Sequence, residues 1–156
     1  MQEKENRSKI ILASGYFDPL HAGHVEYLEK ASKLGDKLIV IVNNDEQAIK
    51  KKDLYFTPLN ERLKVVGALR FVNEAIPSID KDSSVKLSIA HCHKKFGKIS
   101  VFAKGGDRYA SEIPEAQICR ELGIRIVDGL GSKIQSSSEM VKRMLEKFQE
   151  KNKISA

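Results

Sequence analysis

The sequence reads IILASGYFDPLHAGH from residue 10 to residue 24: an apolar run, a glycine-containing loop and the predicted start of a helix. A buried strand ending in such a turn leaves unpaired backbone N–H groups at the helix N-terminus, where the positive end of the helix dipole also lies. Gly23 leaves room for a phosphate, and His21 and His24 supply N–H donors for charge that develops on a phosphoryl oxygen. The stretch therefore predicts a phosphate site, although two helix-capping histidines are an alternative explanation.

The complete ten-residue string from residue 15 resembles the HxGH motif of the nucleotidylyltransferase superfamily, the cytidylyltransferase-like enzymes. The usual form of that motif is Gly-x-Phe-Asp-x-x-His-x-Gly-His, and every fixed position is present. The resemblance extends over about residues 9–144. It implies a Rossmann-like nucleotidylyltransferase fold. It also implies an enzyme that transfers the nucleotidyl group of a nucleoside triphosphate to a phosphorylated acceptor.

Strand-like and helix-like segments alternate along the chain. We predict strands at residues 9–13, 37–42, 74–77, 99–103 and 124–127, and helices at 23–34, 57–71, 84–96, 113–122 and 137–148. Because parallel neighbours need crossover helices, this order predicts an α/β fold with a doubly wound parallel sheet of about five strands. Ligands on such sheets bind beyond the carboxyl ends of the strands, where the strand order reverses.

The length of 156 residues predicts one domain at residues 9–148, with a disordered tail at 1–8 and a frayed tail at 149–156. Nothing at the N-terminus has the form of a signal peptide, and the first apolar run is too short to span a bilayer. We therefore expect a cytoplasmic protein without a membrane partner. Cys92 and Cys119 have no CxxC spacing and are expected to be free thiols.

The formal net charge of +6 suggests an acidic ligand. The lysines are spread along the chain, and no stretch interleaves basic with aromatic residues as an RNA-stacking surface would. A phosphorylated small molecule explains the charge as well as nucleic acid does, and nucleic acid is not the expected partner.

Lys104, Gly105, Gly106 and Asp107 directly follow a predicted strand. The glycines allow close approach of a ligand, and the carboxylate can accept hydrogen bonds from hydroxyl groups, although a plain turn has the same composition. The string at residues 101–109 resembles the Val-Lys-Gly-Gly-Asp-Tyr segment of the D-glycero-D-manno-heptose 1-phosphate adenylyltransferases, with Arg108 inserted. This resemblance favours a sugar phosphate as the acceptor.

Two further segments match the same superfamily. Residues 135–140 resemble the closing Ile-Ser-Ser/Thr-Ser/Thr motif that holds the triphosphate, with Gln135 in place of isoleucine. A charge run such as the lysines at 50–52 is usually a solvated helix end, but its position matches a lysine-bearing segment after the second strand. Arg62 matches an arginine near the phosphates. Which of Lys50, Lys51 and Lys52 reaches the site is left open.

The resemblance implies that an acceptor phosphate oxygen attacks the α-phosphorus of the nucleotide in line and releases pyrophosphate, with Mg²⁺ on the triphosphate and no metal-binding side chain. The implied catalytic residues are His21, His24, Lys51 and Arg62. The implied nucleotide-binding residues are Tyr16, Phe17, Asp18, His21, Gly23, His24, Lys104, Gly105, Gly106, Ser136, Ser137 and Ser138. The implied acceptor-binding residues are Asp18 and Asp107.

The favoured substrates are ATP and a sugar 1-phosphate such as a heptose 1-phosphate. CTP with glycerol 3-phosphate or another small phosphoalcohol is the alternative within the same class. A non-catalytic nucleotide- or RNA-binding regulator is the alternative outside it, but a binding-only protein need not keep the transition-state donors His21 and His24. The sequence leaves open the base and whether the protein forms a homodimer.

Overall fold

The computed structural model describes residues 7–106, 113–131 and 135–155. Within these ranges five strands alternate with six helices. In chain order the elements are β1 Ile10–Gly15, α1 Ala22–Ser32, β2 Lys37–Val42, α2 Asp45–Lys52, α3 Leu59–Gly67, β3 Glu74–Pro77, α4 Lys86–Lys95, β4 Ile99–Gly105, α5 Ala116–Leu122, β5 Arg125–Leu130 and α6 Ser137–Ile154.

The strands form one parallel sheet in the order β3-β2-β1-β4-β5. The chain moves outward from β1 to β3, and α4 then returns it to β4 on the other side of β1. The strand order reverses between β1 and β4, so a crevice is expected beyond the carboxyl ends of these two strands. The predicted doubly wound α/β fold is confirmed.

Side chains from β1 supply both faces of the sheet in strict alternation. Ile10 and Leu12 pack with α4 and α5 side chains on one face, whereas Ile11 and Ala13 pack with α1 and α3 side chains on the other. Strands that are buried on both faces need continuous apolar sequence, which explains the run that opens the domain. The sheet therefore lies between two helical layers, and the loops that follow its parallel strands lie at one edge.

The α2 helix is not among the predicted helices, and its last turn contains Lys50, Lys51 and Lys52. Asn44 caps this helix: its side chain accepts a hydrogen bond from the Gln47 N–H at 2.9 Å, and the Gln47 side chain accepts one from the Asn44 N–H at 3.0 Å. This reciprocal cap is a readable signal, because a capping residue followed three positions later by glutamine is typical of a helix start.

Several boundaries differ from the prediction. The α3 helix begins after Pro58 rather than after Thr57. The β4 strand continues to Gly105, so Lys104 lies within the strand instead of starting a loop. The predicted frayed tail from residue 149 is helical as far as Ile154, because glutamate, lysine and glutamine favour helix without needing a buried face. None of the helices in the described ranges is long and apolar enough to cross a membrane.

Candidate active site

Two adjoining cavities open at the carboxyl ends of β1 and β4. We call the smaller one, of about 450 Å³, the histidine lobe; its own lining residues are His21, Gly23, Lys52, Gly106, Leu130, Gln135, Ser136, Ser137 and Ser138. We call the larger one, of about 690 Å³, the glutamate lobe; its own lining residues are Ser14, Gly15, Asn43, Gln47, Lys50, Ser83, Val85, Lys104, Pro114 and Glu115. The residues common to both are Tyr16, Phe17, His24, Tyr27, Lys51 and Gly105. The two lobes therefore form one continuous cleft.

His21 and His24 form a reciprocal cap at the N-terminus of α1. The His21 Nδ1 accepts a hydrogen bond from the Gly23 N–H at 3.0 Å, and the His24 Nδ1 accepts one from the His21 N–H at 3.2 Å. The two rings stack with their centroids 3.8 Å apart and their planes 19° from parallel. Because each Nδ1 is an acceptor, a neutral ring must carry its proton on Nε2, which leaves two Nε2–H donors.

The environment keeps both rings neutral near pH 7. Burial first, and then the nearby His21 and Lys52, lower the pKa of His24 to about 3. Burial also lowers the pKa of His21. The predicted role as capping histidines and the predicted role as phosphate donors are thus compatible, because capping uses Nδ1 and leaves Nε2–H available.

Phe17 fixes the tight turn between β1 and α1. Its backbone has a φ of 53°, in the left-handed region, and its ring meets the His24 ring edge to face at 5.1 Å between centroids. A Cβ atom on Gly15 would lie 2.8 Å from the Phe17 ring, so only glycine fits at that position. The turn thereby holds His24 against the cleft.

The lysines of α2 approach the cleft at different points. The Lys51 Nζ lies 4.6 Å from the centroid of the Tyr16 ring, and the Lys52 Nζ lies 5.6 Å from it. The Lys50 Nζ donates to the Lys81 carbonyl at 2.9 Å on the glutamate-lobe side. All three lysines line the cleft: Lys50 lines the glutamate lobe, Lys52 lines the histidine lobe, and Lys51 lies at their junction.

Tyr16 stands at the same junction. Its Oη atom is buried and has no hydrogen-bond partner within the described ranges. Burial raises the pKa of this phenol, partly offset by the Arg62 charge, so the group keeps its proton and remains a hydrogen-bond donor.

The N-terminus of α6 lies opposite the histidines. The Ser137 Oγ donates to the Pro19 carbonyl at 2.8 Å, which joins α6 to the β1–α1 loop. The Gln135 Oε1 accepts from the Ser136 N–H at 3.1 Å and from the Arg143 guanidinium at 3.0 Å. Gln135 thus organises the turn before the helix, a role that the sequence analysis did not foresee. Helix N-termini and lysines surround the histidine lobe, so it favours anions.

Arg62 does not lie where the sequence predicted. Its side chain is 1% exposed, and it lines neither lobe. Its guanidinium donates to the carbonyls of Thr57 (2.8 Å), Tyr16 (2.9 Å) and Asn43 (2.6 Å) and to the Asp45 Oδ1 (2.7 Å). These contacts occupy the guanidinium fork, so Arg62 fastens the loops after β1 and β2 together instead of contacting phosphate.

Asp18 is likewise engaged inside the protein. Its Oδ2 accepts from the Phe56 N–H at 2.7 Å, and its Oδ1 accepts from the Thr57 N–H at 2.8 Å. Asp18 is 6% exposed and lines neither lobe. The structure therefore gives it the role of anchoring the β1–α1 loop to the segment before α3, rather than the predicted contacts with nucleotide and acceptor.

The end of β4 enters the cleft as predicted. Gly105 lines both lobes, and a Cβ atom there would lie 3.1 Å from the Tyr27 ring. Tyr27, which the sequence analysis missed, donates its Oη hydrogen to the Ala103 carbonyl at 2.7 Å and so packs α1 against β4. Asp107, the predicted acceptor contact, lies outside the described residues.

No carboxylate is among the described residues that line the histidine lobe. Nor do the described ranges contain a group of three or more histidine, cysteine, aspartate or glutamate side chains placed to hold a metal ion. This donor set fits a Mg²⁺ ion that enters on the phosphate oxygens of a nucleotide, as part of the substrate.

Comparison with protein families gives a match to the model described as cytidylyltransferase-like over residues 12–156. The chain belongs to the cytidylyltransferase-like family. This membership confirms the predicted family and, at that level, the expectation of a nucleotidyltransferase.

Curated relatives and solved structures agree with the family. The chain is 38% identical over 120 residues to the bifunctional protein HldE of Actinobacillus pleuropneumoniae serotype 5b (strain L20), covering 74% of this chain and 23% of that protein. It is 37% identical over 119 residues to HldE of Yersinia pestis (strain Pestoides F), covering 68% and 25%. The chain thus spans about a quarter of the length of these curated relatives.

Among solved structures, the fold is similar to the lipopolysaccharide core biosynthesis protein from Thermoplasma volcanium GSS1, with a TM-score of 0.65 and 25% identity over 81% of this chain and 99% of that chain. A protein with unknown function from Archaeoglobus fulgidus has a TM-score of 0.58 at 22% identity, over 82% and 93% of the two chains, and shows the fold alone.

Proposed function

We propose that the protein is a nucleotidylyltransferase that transfers AMP from ATP to the phosphate of a sugar 1-phosphate and releases pyrophosphate. The observation that carries this proposal is the histidine pair. Each ring is neutral, has its Nδ1 engaged in the helix cap and keeps its Nε2–H for a ligand. Two such donors at a helix N-terminus suit a phosphoryl group that gains negative charge in the transition state.

In this proposal the histidine lobe binds the Mg²⁺ complex of the triphosphate. The Nε2–H groups of His21 and His24 donate to the α-phosphate and to the oxygen that bridges to the β-phosphate. The N-terminus of α6, with its three serines, and the side chains of Lys51 and Lys52 hold the outer phosphates. An oxygen of the acceptor phosphate forms a bond to the α-phosphorus, the bond to the bridging oxygen breaks, and that electron pair leaves with pyrophosphate.

The glutamate lobe is the proposed acceptor site. It opens into the histidine lobe beside Tyr16 and Lys51, which is where the acceptor phosphate must meet the α-phosphorus. Lys50, Lys51 and Lys104 line it and favour a phosphorylated ligand. Its volume of about 690 Å³ accommodates a sugar as well as a phosphate. Similarity to a protein named for lipopolysaccharide core biosynthesis supports a sugar, and a heptose 1-phosphate is the favoured example. The cytoplasmic location and the homodimer remain predictions.

A pyrophosphate-release screen of four nucleoside triphosphates with Mg²⁺ tests this function. The acceptor panel contains heptose and hexose 1-phosphates and glycerol 3-phosphate, and His24→Ala serves as the inactive control. We expect release with ATP and a sugar 1-phosphate. Release only with CTP and glycerol 3-phosphate would contradict ATP and a sugar 1-phosphate as the substrates, but it would still support nucleotidyl transfer. No release with any pair, together with salt-sensitive retention on heparin, would support a binding module instead.

A further inference from the structure

Glu115 is a buried carboxylate in the wall of the glutamate lobe that the reaction described above does not use. It immediately precedes α5 and is 3% exposed. Its Oε1 accepts a hydrogen bond from the Val85 N–H at 3.0 Å, which joins the segment before α5 to the segment before α4. Its Oε2 is buried and accepts no hydrogen bond in the part of the chain that the structure describes.

A buried carboxylate oxygen without a partner is unusual, because it has given up water without a replacement donor. Here the group lies beside a cavity large enough for a ligand, and one of its oxygens is already fixed by the backbone. The Val85 N–H holds one oxygen and the side chain lines the lobe, so a small shift of the carboxylate would bring the second oxygen within reach of a bound molecule. The lobe therefore offers an acceptor of hydrogen bonds in addition to its lysines.

We infer that Glu115 is a specificity-determining residue of the acceptor site, whose Oε2 accepts a hydrogen bond from a hydroxyl group of the acceptor. This inference rests on the proposed function, because it takes the glutamate lobe to be the acceptor site. The phosphate of the acceptor is attracted by Lys50, Lys51 and Lys104, and a hydroxyl elsewhere on the same molecule donates to Glu115.

The charges that line the lobe determine which kind of ligand group can donate a hydrogen bond to Glu115. Three lysines repel an ammonium group on the ligand, and the Glu115 carboxylate repels a second carboxylate. A neutral hydroxyl donor satisfies Oε2 without either repulsion. The site therefore favours phosphorylated sugars and polyols over inorganic phosphate and over phosphorylated carboxylic acids.

Binding measured by calorimetry, without turnover, tests the inference on the whole chain. The probes are D-mannose 1-phosphate, D-glycero-D-manno-heptose 1-phosphate, glycerol 3-phosphate, 3-phosphoglycerate and inorganic phosphate. The hydroxylated probes are the two sugar 1-phosphates and glycerol 3-phosphate. We expect the wild type to bind at least one of these three at least about tenfold more tightly than inorganic phosphate. Glu115→Gln keeps the side-chain length and an oxygen for Val85, and it should weaken that preferred probe by about ten- to a hundredfold.

The same variant should bind MgATP as the wild type does and inorganic phosphate no more weakly, because neither needs Glu115. It should bind 3-phosphoglycerate more tightly than the wild type, because the repulsive charge is gone. Unchanged binding of the preferred probe, equal loss of ATP binding, or a wild type that binds no hydroxylated probe better than inorganic phosphate would each overturn the inference.

Two control variants separate recognition from general effects. Glu121→Gln makes the same substitution on the exposed side of α5, where Glu121 contacts only Gln117 among the described hydrogen bonds. Asp82→Asn loosens the Asp82–Ser84 contact just before Val85 and leaves the carboxylate of Glu115 intact. Both should bind every probe like the wild type. If either weakens the preferred probe as much as Glu115→Gln does, the effect is one of net charge or of loop order, and Glu115 does not contact the acceptor.

Failure of this inference can be told apart from failure of the proposed function. If nucleotidyl transfer is wrong, no nucleoside triphosphate yields pyrophosphate, whatever the binding data show. If only the role of Glu115 is wrong, pyrophosphate is released and Glu115→Gln binds the acceptor normally.

Discussion

The histidine lobe and the glutamate lobe share Tyr16 and Lys51, but the chain builds them in different ways. The histidine lobe consists of two helix N-termini, and each is encoded by a short continuous stretch, residues 21–24 and residues 135–138. The glutamate lobe brings together Gln47, Val85 and Glu115 from three separate segments. Local motifs can therefore be predicted from the sequence, whereas a cavity wall assembled from distant segments can be recognised only once the fold is known.

The largest expected effect concerns the histidine lobe. His24→Ala removes an Nε2–H donor and should lower kcat by about 10²–10³, with His21→Ala nearly as damaging. Steady-state kinetics and circular dichroism measure activity and fold separately. His91→Ala, on the exposed side of α4, is the matched control and should behave like the wild type. A folded His24→Ala enzyme with normal turnover would rule out the catalytic role.

Arg62 provides the next test, because sequence and structure give it different roles. Arg62→Met removes the guanidinium donor from three carbonyls and one of the two donors to the Asp45 Oδ1, and it should lower the free energy of unfolding by about 2–4 kcal/mol. This corresponds to a fall in Tm of about 5–15 °C by thermal denaturation. Arg70→Met, at an exposed arginine just after α3, should change Tm little. A normal Tm with a strongly reduced kcat would instead support the phosphate contact that the sequence suggested.

Nucleotide binding should raise Tm in the order ATP, ADP, AMP, each with Mg²⁺. The reason is that the N-terminus of α6 and Lys51 are proposed to hold the outer phosphates, and a ligand stabilises the native state according to its affinity. Differential scanning fluorimetry at matched nucleotide concentrations measures the order. Lys51→Ala should reduce the differences among the three nucleotides, whereas Lys50→Ala, on the glutamate-lobe side, should preserve them. Equal shifts for all three would contradict the triphosphate site.

The smallest effect is in the pH dependence. The pKa of His24 is lowered from 6.5 to about 3, so the folded protein binds fewer protons than the unfolded chain between these values. Protonation therefore favours unfolding: the penalty is absent above about pH 6.5 and grows as the pH falls towards 3. Tm should fall less steeply over this range in His24→Ala than in the wild type. Equal slopes of Tm against pH in the two proteins would show that His24 is not held neutral.

The fold was largely predictable because its signals are local. Alternating apolar strands and crossover helices dictate a parallel sheet, and the predicted bounds of β2 and β3 agree with the structure. The α2 helix was missed although its Asn44 and Gln47 cap is visible in the sequence. Only Ala48 and Ile49 are apolar within α2, so the periodic apolar signal of a helix is weak there.

The candidate site was only partly predictable. The histidines, the serines and the end of β4 line the cleft as expected, since each follows from a motif at a strand end or helix start. Arg62 and Asp18 carry charges typical of a phosphate or acceptor site, but their partners are backbone groups of residues far apart in sequence. Glu115 has no sequence signal at all, because its significance comes from an oxygen left without a partner in the folded protein.

In the proposed function, the cleft transfers the AMP group of ATP, which contains the α-phosphorus, to an acceptor phosphate. Parallel reactions with ATP labelled with ³²P at the α- or the γ-position, using the acceptor selected by the pyrophosphate screen, test it most directly. We predict that the α-label appears in the acceptor product, that the γ-label appears only in pyrophosphate, and that His24→Ala loses both together. A γ-label in the acceptor product or in free inorganic phosphate would mean phosphoryl transfer or simple hydrolysis, and would contradict nucleotidyl transfer.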